Sequence, residues 1–194
     1  MVRRVTAAFL VLLVSLSAAG CGYNDVISKD EDVKGAWAEV QNQYKRRTDL
    51  VPNLVQTVKA SAAFETDTLQ KVVEARSKVS QIKVDASTID DPAKLKAFEQ
   101  AQGQLSGALS RLMVVAEKYP ELKSTEGFRD LQSQLEGTEN RIAVARNRYI
   151  ASVADYNKTV QLFPSSIGAS LRHKSVRPTF EGEPGGEKPP EVKF

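Results

Sequence analysis

Apolar residues recur at helical spacing along most of the chain between residues 29 and 163. The clearest series lies toward the C-terminus, where apolar or small side chains return at steps of three and four. Its members are Phe128, Leu131, Leu135, Thr138, Ile142, Ala145, Tyr149, Ser152, Tyr156, Val160 and finally Phe163. This spacing predicts one long helix from about residue 125 to residue 162, packed at a shallow angle against its neighbours.

Three earlier series predict the helices that cover this stripe. They run from Val33 to Val58, from Phe64 to Ile82 and from Leu95 to Tyr119. Because short connections join the four segments, consecutive helices must run in opposite directions. The predicted fold class is all-α, an up-and-down antiparallel four-helix bundle with long helices.

Capping residues and prolines predict where these helices begin and break. Ser28 and Glu31 have the spacing of a capping box, so the first helix is predicted to start just after Ser28. Asp91-Pro92 predicts the start of the third helix, because aspartate caps well and proline suits the first helical position. Pro52 removes a backbone donor inside the first series and predicts a kink or a short break.

The first twenty residues have the pattern of an export signal. Arg3 and Arg4 form a basic start, an apolar run covers residues 5–16, and small residues occupy 17–20 immediately before Cys21. This arrangement resembles the bacterial lipobox, in which the cysteine is acylated and becomes the mature N-terminus. Two alternatives stay open: cleavage that leaves Cys21 as a free thiol, and an uncleaved membrane anchor, although the apolar run is short for a spanning helix.

These features divide the chain into five predicted segments. Residues 1–20 are a lipoprotein signal peptide, 21–28 a lipidated tether, and 29–163 the helical bundle. Residues 164–180 mix apolar and basic side chains and are expected to pack back on the bundle. Residues 181–194 are rich in Gly, Pro and Glu and are expected to be disordered.

Charge and composition argue against nucleic-acid binding and catalysis. Without Arg3 and Arg4 the net charge falls from +3 to +1, which is too balanced for a phosphate-binding protein. The single histidine, His173, follows the last predicted helix, and the sequence has no paired Glu-x-x-His motifs and no Gly-rich phosphate loop. We therefore expect no enzymatic activity, no cofactor and no metal site.

The most unusual local stretch is residues 46–55, Arg-Arg-Thr-Asp-Leu-Val-Pro-Asn-Leu-Val. Arg46, Arg47, Asp49, Pro52 and Asn53 are candidates for a recognition surface or for a polar network that fixes the kink. The alternative is that Arg46 or Arg47 pairs with Asp49 at helical spacing and that the remainder is core; such pairs are usually solvated and weak.

At these residues the chain resembles the LemA family. The resemblance covers about residues 23–180 and is carried by several short motifs. These are Tyr23-Asn24, Ala36-Trp37, the Arg46–Lys59 block, Glu74-Ala75-Arg76, Tyr119–Lys123, Phe128-x-x-Leu131, Glu139-x-x-Ile142-Ala143-x-Ala145-Arg146, Tyr156-Asn157 and Phe163-Pro164. The resemblance implies a helical bundle held at the cell envelope outside the cytoplasm, with no established enzymatic activity. Family members often carry a Gly-Phe pair near His173-Lys174.

The expected function is that of a lipid-anchored scaffold or adaptor, held at the membrane by its acyl chains and bound to an unidentified envelope protein. One alternative is a carrier or sensor that binds an apolar or lipid ligand between its helices, with Gly103 and Gly107 leaving room. Another, resting on family association alone, is an accessory to an HtpX-type membrane metalloprotease.

Overall fold

The computed structural model describes residues 2–60 and 64–180, with side chains from Asn24 onward apart from Ala86. This described part is helical, without strands, which confirms the predicted all-α class. It contains six α-helices of very unequal length where four long helices were predicted. They are α1 Val2–Lys59, α2 Thr66–Gln81, α3 Pro92–Ala116, α4 Pro120–Ser124, α5 Glu126–Gln161 and α6 Ser165–Leu171, with a 3₁₀ turn at Ala86–Ile89. The predicted disordered tail, residues 181–194, lies outside the described residues.

Helix α1 is continuous where two interruptions were predicted. It runs through Ser28, so the predicted start there is wrong, and through Pro52, so the predicted short break does not occur. The Ser28 prediction fails because Val26, two residues earlier, is already buried and gives the preceding turn an apolar contact. Glu31 does not cap the helix but accepts a 2.7 Å hydrogen bond from Lys34 Nζ. Residues 21–28, predicted as a tether, are also part of α1.

Helix α3 begins where Asp91-Pro92 predicts. The Asp91 carboxylate accepts hydrogen bonds from the backbone N–H groups of Ala93 at 2.9 Å and Lys94 at 3.3 Å, and Pro92 occupies the first helical position. The cap satisfies two of the donors that a helix start leaves unpaired.

The long helices α1 and α5 run antiparallel. Lys29 near the start of the described side chains pairs with Asp155, whereas Arg47 further along α1 pairs with Glu139. As the residue number increases by one along α1, the number of the residue level with it on α5 therefore decreases by about one. The same reversal relates α2 to α3, where Lys78 bonds Gln104 and Glu65 lies 3.9 Å from Lys118.

The buried side chains form two clusters, which we call the distal core and the proximal core. The distal core comprises Val51, Leu54, Val55, Val58, Phe64, Leu69, Val72, Ala75, Leu105, Leu109, Leu112, Val115, Ala116, Leu122, Phe128, Leu131 and Leu135. The proximal core comprises Val26, Val33, Trp37, Val40, Tyr44, Ile89, Leu95, Phe98, Ile142, Ala145, Tyr149, Val153, Tyr156, Val160, Ala169 and Phe180. Between them lies a layer of buried polar side chains, Arg47, Gln102 and Thr138.

Helix α6 and the residues after it cover the proximal core. We call residues 172–180, a turn followed by an irregular segment, the C-terminal strap. Helix α6 packs against both α1 and α5 and buries Gly168 and Ala169. At His173 the chain leaves α6 with a φ of 52°, a left-handed conformation that glycine adopts without strain. Phe180 closes the strap with its ring centroid 6.1 Å from Trp37 and 5.2 Å from Tyr149.

Two details of the predicted helix stripes are wrong. Val153 is fully buried and Ser152 only partly so, because the contact line of α5 shifts by one residue there. Phe163 lies beyond the end of α5 and is 80% exposed, so it does not close the buried series. Gly103 and Gly107 are exposed on α3, and a Cβ added at either would meet nothing within 4 Å; they therefore leave no interior room for a ligand.

Candidate functional site

The structure separates the five candidate residues of the Arg46–Asn53 segment into two groups. Arg47 is 1% exposed and points into the bundle, and Pro52 is half-buried. Arg46, Asp49 and Asn53 are all exposed. Because these three are spaced by three and four residues, they share the outer face of α1. One short block therefore supplies both a buried structural element and an exposed polar stripe.

Arg47 joins three helices through a charged network. Its Nη1 donates to Glu139 Oε1 at 2.9 Å, and its Nη2 donates to the side-chain oxygen of Gln102 at 2.6 Å and to the backbone oxygen of Gln102 at 3.0 Å. The guanidinium also lies 5.0 Å from the centre of the Tyr44 ring. The expected alternative pairing of Arg47 with Asp49 is therefore wrong, because the side chain turns inward to α3 and α5.

Pro52 is accommodated by a contact from α2. A proline has no N–H to donate to the carbonyl four residues earlier, which here belongs to Thr48. Arg76 Nε donates to this Thr48 oxygen at 3.3 Å. The contact explains how α1 continues through Pro52, because an arginine from a neighbouring helix replaces the missing donor.

The exposed group presents three different kinds of hydrogen-bonding side chain. Arg46 is a planar donor, Asp49 is an acceptor, and Asn53 can do both. The seven-residue interval spans about 10 Å along the helix axis. We call these three residues the α1 outer stripe. Such a stripe suits a polar contact with another macromolecule and carries no acid–base or nucleophilic pair suited to catalysis.

A second charged network fastens the strap to the bundle. Asp30 is 4% exposed, and its carboxylate lies 2.9 Å from Arg177 Nη1. It accepts hydrogen bonds from Lys174 Nζ at 3.2 Å and forms an ion pair with Lys34 Nζ at 2.9 Å. Arg177 Nε also donates to Asp90 at 2.7 Å. The strap is thereby tied both to α1 and to the turn before α3.

The electrostatics of Asp30 favour its charged form. Burial alone raises the pKa of the carboxyl, but hydrogen bonds from Lys34 and Lys174 and the charge of Arg177 outweigh this effect. The pKa of Asp30 is therefore held below its usual value. Burial likewise opposes the charged form of Arg177, but Asp90 and Asp30 raise its pKa.

Side chains of α5 hold the backbone of the strap. Asn157 exchanges two hydrogen bonds with the backbone of Arg177, at 2.8 and 2.9 Å. The hydroxyls of Tyr156 and Tyr149 donate to the carbonyls of Ser175 and Pro178, at 3.1 and 3.3 Å. Burial raises the pKa of both tyrosines, so their hydroxyls stay protonated as donors.

Sequence reasoning missed Asp30 and Gln102 and did not predict the inward course of Arg47. A signal for two of them was present, since Asp30 and Arg47 fall on one uninterrupted heptad series in α1. Its ten members are all buried: Val26, Asp30, Val33, Trp37, Val40, Tyr44, Arg47, Val51, Leu54 and Val58. A charged residue at a core heptad position predicts a buried polar contact. Gln102 carries no comparable signal.

The predicted lipidation residue, Cys21, lies outside the described side chains. Within the residues whose side chains the structure describes, no helix contains an apolar stretch long enough to cross a bilayer. The same side chains include no group of three or more His, Cys, Asp and Glu residues placed to hold a metal ion.

A long helical bundle with two buried charged networks and an exposed polar stripe defines the class of this protein. The model of the LemA family matches residues 36–194, and the chain belongs to that family.

Curated relatives extend the comparison. The chain is 27% identical over 183 residues to magnetosome protein MamQ of Magnetospirillum gryphiswaldense, covering 86% of this chain and 67% of that protein. The values are the same for magnetosome protein MamQ 2 of Paramagnetospirillum magneticum. Protein LemA of Metamycoplasma hominis is 27% identical over 103 residues, which is 53% of this chain and 43% of that protein.

Proposed function

We propose that this protein is a non-enzymatic scaffold of the cell envelope, anchored to the membrane by acyl chains on Cys21 and bound to another envelope protein through the α1 outer stripe. Helices α1, α2, α3 and α5 act as an up-and-down four-helix bundle that holds this stripe rigid. The observation that carries the proposal is the division of one segment into a buried Arg47 and the exposed Arg46, Asp49 and Asn53.

Rigidity supports the adaptor function. Association costs side-chain and backbone ordering, and a surface that is already ordered binds with less of that cost. Arg47 and the contact of Arg76 with the Thr48 carbonyl fix the helix immediately before Asp49. The stripe is therefore preorganised for a partner with complementary donors and acceptors.

The anchor is supported by the first twenty-one residues and by the course of α1. Basic, apolar and small residues precede Cys21 in the order of an export signal. A continuous helix then connects this region to the bundle. With residues 21–28 in helical form, the bundle starts about 12 Å from the acylated residue.

Proximity labelling in the native cell tests the adaptor function. We expect the triple variant Arg46→Ala, Asp49→Ala, Asn53→Ala to remain folded and bound to the membrane. It should no longer label one envelope protein that the unaltered protein labels. The matched control changes Arg129, Asp130 and Gln134, which are exposed on α5, to alanine. Equal labelling profiles for both variants and the unaltered protein would count against the stripe as the binding surface.

Acyl labelling tests the anchor. Palmitate incorporation should occur in the unaltered protein and disappear with Cys21→Ala, and globomycin should block maturation. Labelling that persists in Cys21→Ala would contradict the assignment of the acylation site.

The carrier alternative is supported by one open groove of about 560 Å³ between α3 and α5, lined in part by Leu109, Met113 and Leu135. Native mass spectrometry of protein extracted from its own membrane separates the two functions. A retained apolar molecule favours the carrier, whereas a co-purifying protein lost in the triple variant favours the adaptor.

A further inference from the structure

Four large apolar side chains are exposed within ten residues at the end of α5 and along α6. Phe163 is 80% exposed, Leu171 74%, Ile167 55% and Leu162 53%. Ile167 and Leu171 are four residues apart on α6 and so share one face, away from the buried Gly168 and Ala169. Leu162 and Phe163 lie in the connection that leads from α5 into α6. We call these four residues the α6 patch. Clustered exposed apolar residues of this size mark interaction sites more often than isolated ones do.

The position of the patch along the bundle follows from the antiparallel pairing of α1 and α5. Lys29 is level with Asp155, and α5 loses about one residue for each one gained on α1. Leu162 is therefore level with about Gly22, one residue from Cys21. The patch lies at the end of the bundle where the proposed anchor enters the membrane.

The segment that carries the patch is positively charged, which suits an anionic membrane surface. Residues 156–180 contain Lys158, Arg172, Lys174 and Arg177 and no acidic residue. Lys158 and His173 are exposed beside the patch. Lys174 and Arg177 are engaged with Asp30 and add positive charge without being the surface contact. Exposed apolar side chains flanked by basic ones are typical of segments that lie in a bilayer interface.

We propose that the α6 patch inserts into the anionic lipid surface and orients the bundle on the membrane. The inference rests on the proposed anchoring at Cys21, since a single acyl attachment fixes distance without fixing orientation. Contact at the patch supplies a second point, so that α1 and its outer stripe are held at a defined angle to the bilayer. Two weak membrane contacts on one rigid body also strengthen each other.

A site-directed probe in the full acylated chain tests this proposal. Cys21 is the sole cysteine, so acylation leaves Phe163→Cys as the single free thiol for an environment-sensitive NBD label. The protein is reconstituted in vesicles of phosphatidylethanolamine and phosphatidylglycerol that carry a spin-label quencher on the acyl chains. The matched control is Val114→Cys, which is 68% exposed on α3 and lies roughly 50 Å further along the bundle axis.

The expected result is a blue-shifted label at position 163, quenched about threefold more strongly than the label at 114, because interfacial segments sit 5–10 Å into the headgroup boundary. Changing Ile167 and Leu171 to serine should reduce this quenching, with circular dichroism confirming that the helices remain. Equal quenching at 163 and 114 would overturn the proposal. A blue-shifted but unquenched label at 163 would also overturn it, because a protein surface or a second copy would then cover the patch.

Failure of the anchor is recognised separately. If Cys21 is not acylated, intact mass shows two labels on Phe163→Cys. The Cys21→Ala, Phe163→Cys protein is then added to the same vesicles, and the quenching comparison with Cys21→Ala, Val114→Cys decides on the patch alone.

Discussion

The distal and proximal cores are enclosed in different ways. The distal core lies among α1, α2, α3 and α5, with α4 at its end, and its only aromatic members are Phe64 and Phe128. The proximal core has six aromatic residues and is enclosed by α1, α5, the start of α3, α6 and the strap. One half of the molecule therefore depends on helix packing and the other on an irregular segment with polar contacts.

Helix length explains the difference. Helix α2 ends near the level of Gln41, and Phe98, two turns into α3, lies against Trp37. Between this level and residue 24 of α1, no other long helix of the described residues packs against α1 and α5. The strap that covers them there contributes fewer side chains to the core than a helix would. Large aromatic rings fill the remaining space because each buries much apolar area and tolerates edge-on contacts. The lesson is that the proximal core depends on a few large side chains and on the charges that hold the strap.

The largest expected effect is the loss of Trp37, which contacts Phe98 and Tyr149 with ring centroids 5.3 and 5.4 Å apart. Trp37→Ala should lower the free energy of unfolding by about 3–5 kcal/mol. Hydrogen exchange should then become fast in the strap while α2 stays protected. Urea unfolding followed by circular dichroism measures the loss, and Val114→Ala, at an exposed site, should change stability by no more than about 0.5 kcal/mol. A loss below about 1 kcal/mol for Trp37→Ala would contradict the role assigned to the aromatic cluster.

The next effect concerns the polar layer between the two cores. Arg47→Met should cost about 2 kcal/mol, because the buried side-chain oxygen of Gln102 loses its donor. Adding Gln102→Leu should recover much of this loss, since an apolar pair needs no hydrogen bonds. Glu139→Ala should cost about 1–2 kcal/mol, because Glu139 is 42% exposed but its loss leaves the buried guanidinium of Arg47 without a charged partner. A double variant less stable than Arg47→Met would contradict this explanation. The polar layer would then stabilise the bundle through contacts other than the hydrogen bond between Arg47 and Gln102.

The distal half follows from the sequence much more closely than the proximal half. Leu131, Leu135 and Leu112 are buried in the distal core as their apolar spacing predicts. The predicted start at Ser28 and the short break at Pro52 do not occur, because tertiary contacts override the local signals. Val26 is buried before Ser28, and Arg76 supplies the donor that Pro52 lacks. The local sequence around a proline cannot predict a hydrogen-bond donor that belongs to another helix.

The candidate segment and the strap show a second limit. Apolar periodicity finds the neighbours of Arg47 and Asp30 but omits these residues themselves, although both occupy core heptad positions. The strap has no apolar periodicity, because it is held through its own backbone carbonyls. These carbonyls accept hydrogen bonds from Asn157 and two tyrosines of α5. Such contacts depend on the fold and on no spacing within residues 172–180.

Acid should weaken the proximal core selectively. The pKa of Asp30 is lower in the folded protein than its value of about 3.9 in an unfolded chain. The contribution of its charge is therefore fully present above that value and is lost as the pH falls through the folded pKa. Asp30→Asn should destabilise the protein by about 1–2 kcal/mol at neutral pH, and the difference should shrink in acid. Hydrogen exchange of residues 172–180 against pH measures this, with the exposed Asp32→Asn as the control. A difference that stays constant into acid would contradict the linkage.

The smallest effect tests whether Arg76 replaces the donor that Pro52 lacks, which links α2 to α1 in the distal half. Arg76→Met should cost about 1–1.5 kcal/mol, because the Thr48 carbonyl loses its charged donor. Pro52→Ala restores a backbone N–H four residues after Thr48, and this donor can satisfy the same carbonyl. In the Pro52→Ala background, Arg76→Met should therefore cost less than about 0.5 kcal/mol, giving a clear coupling energy in a double-mutant cycle. Equal costs in the two backgrounds would mean that Arg76 stabilises the helix pair by packing, and the continuity of α1 through Pro52 would then need no contribution from α2.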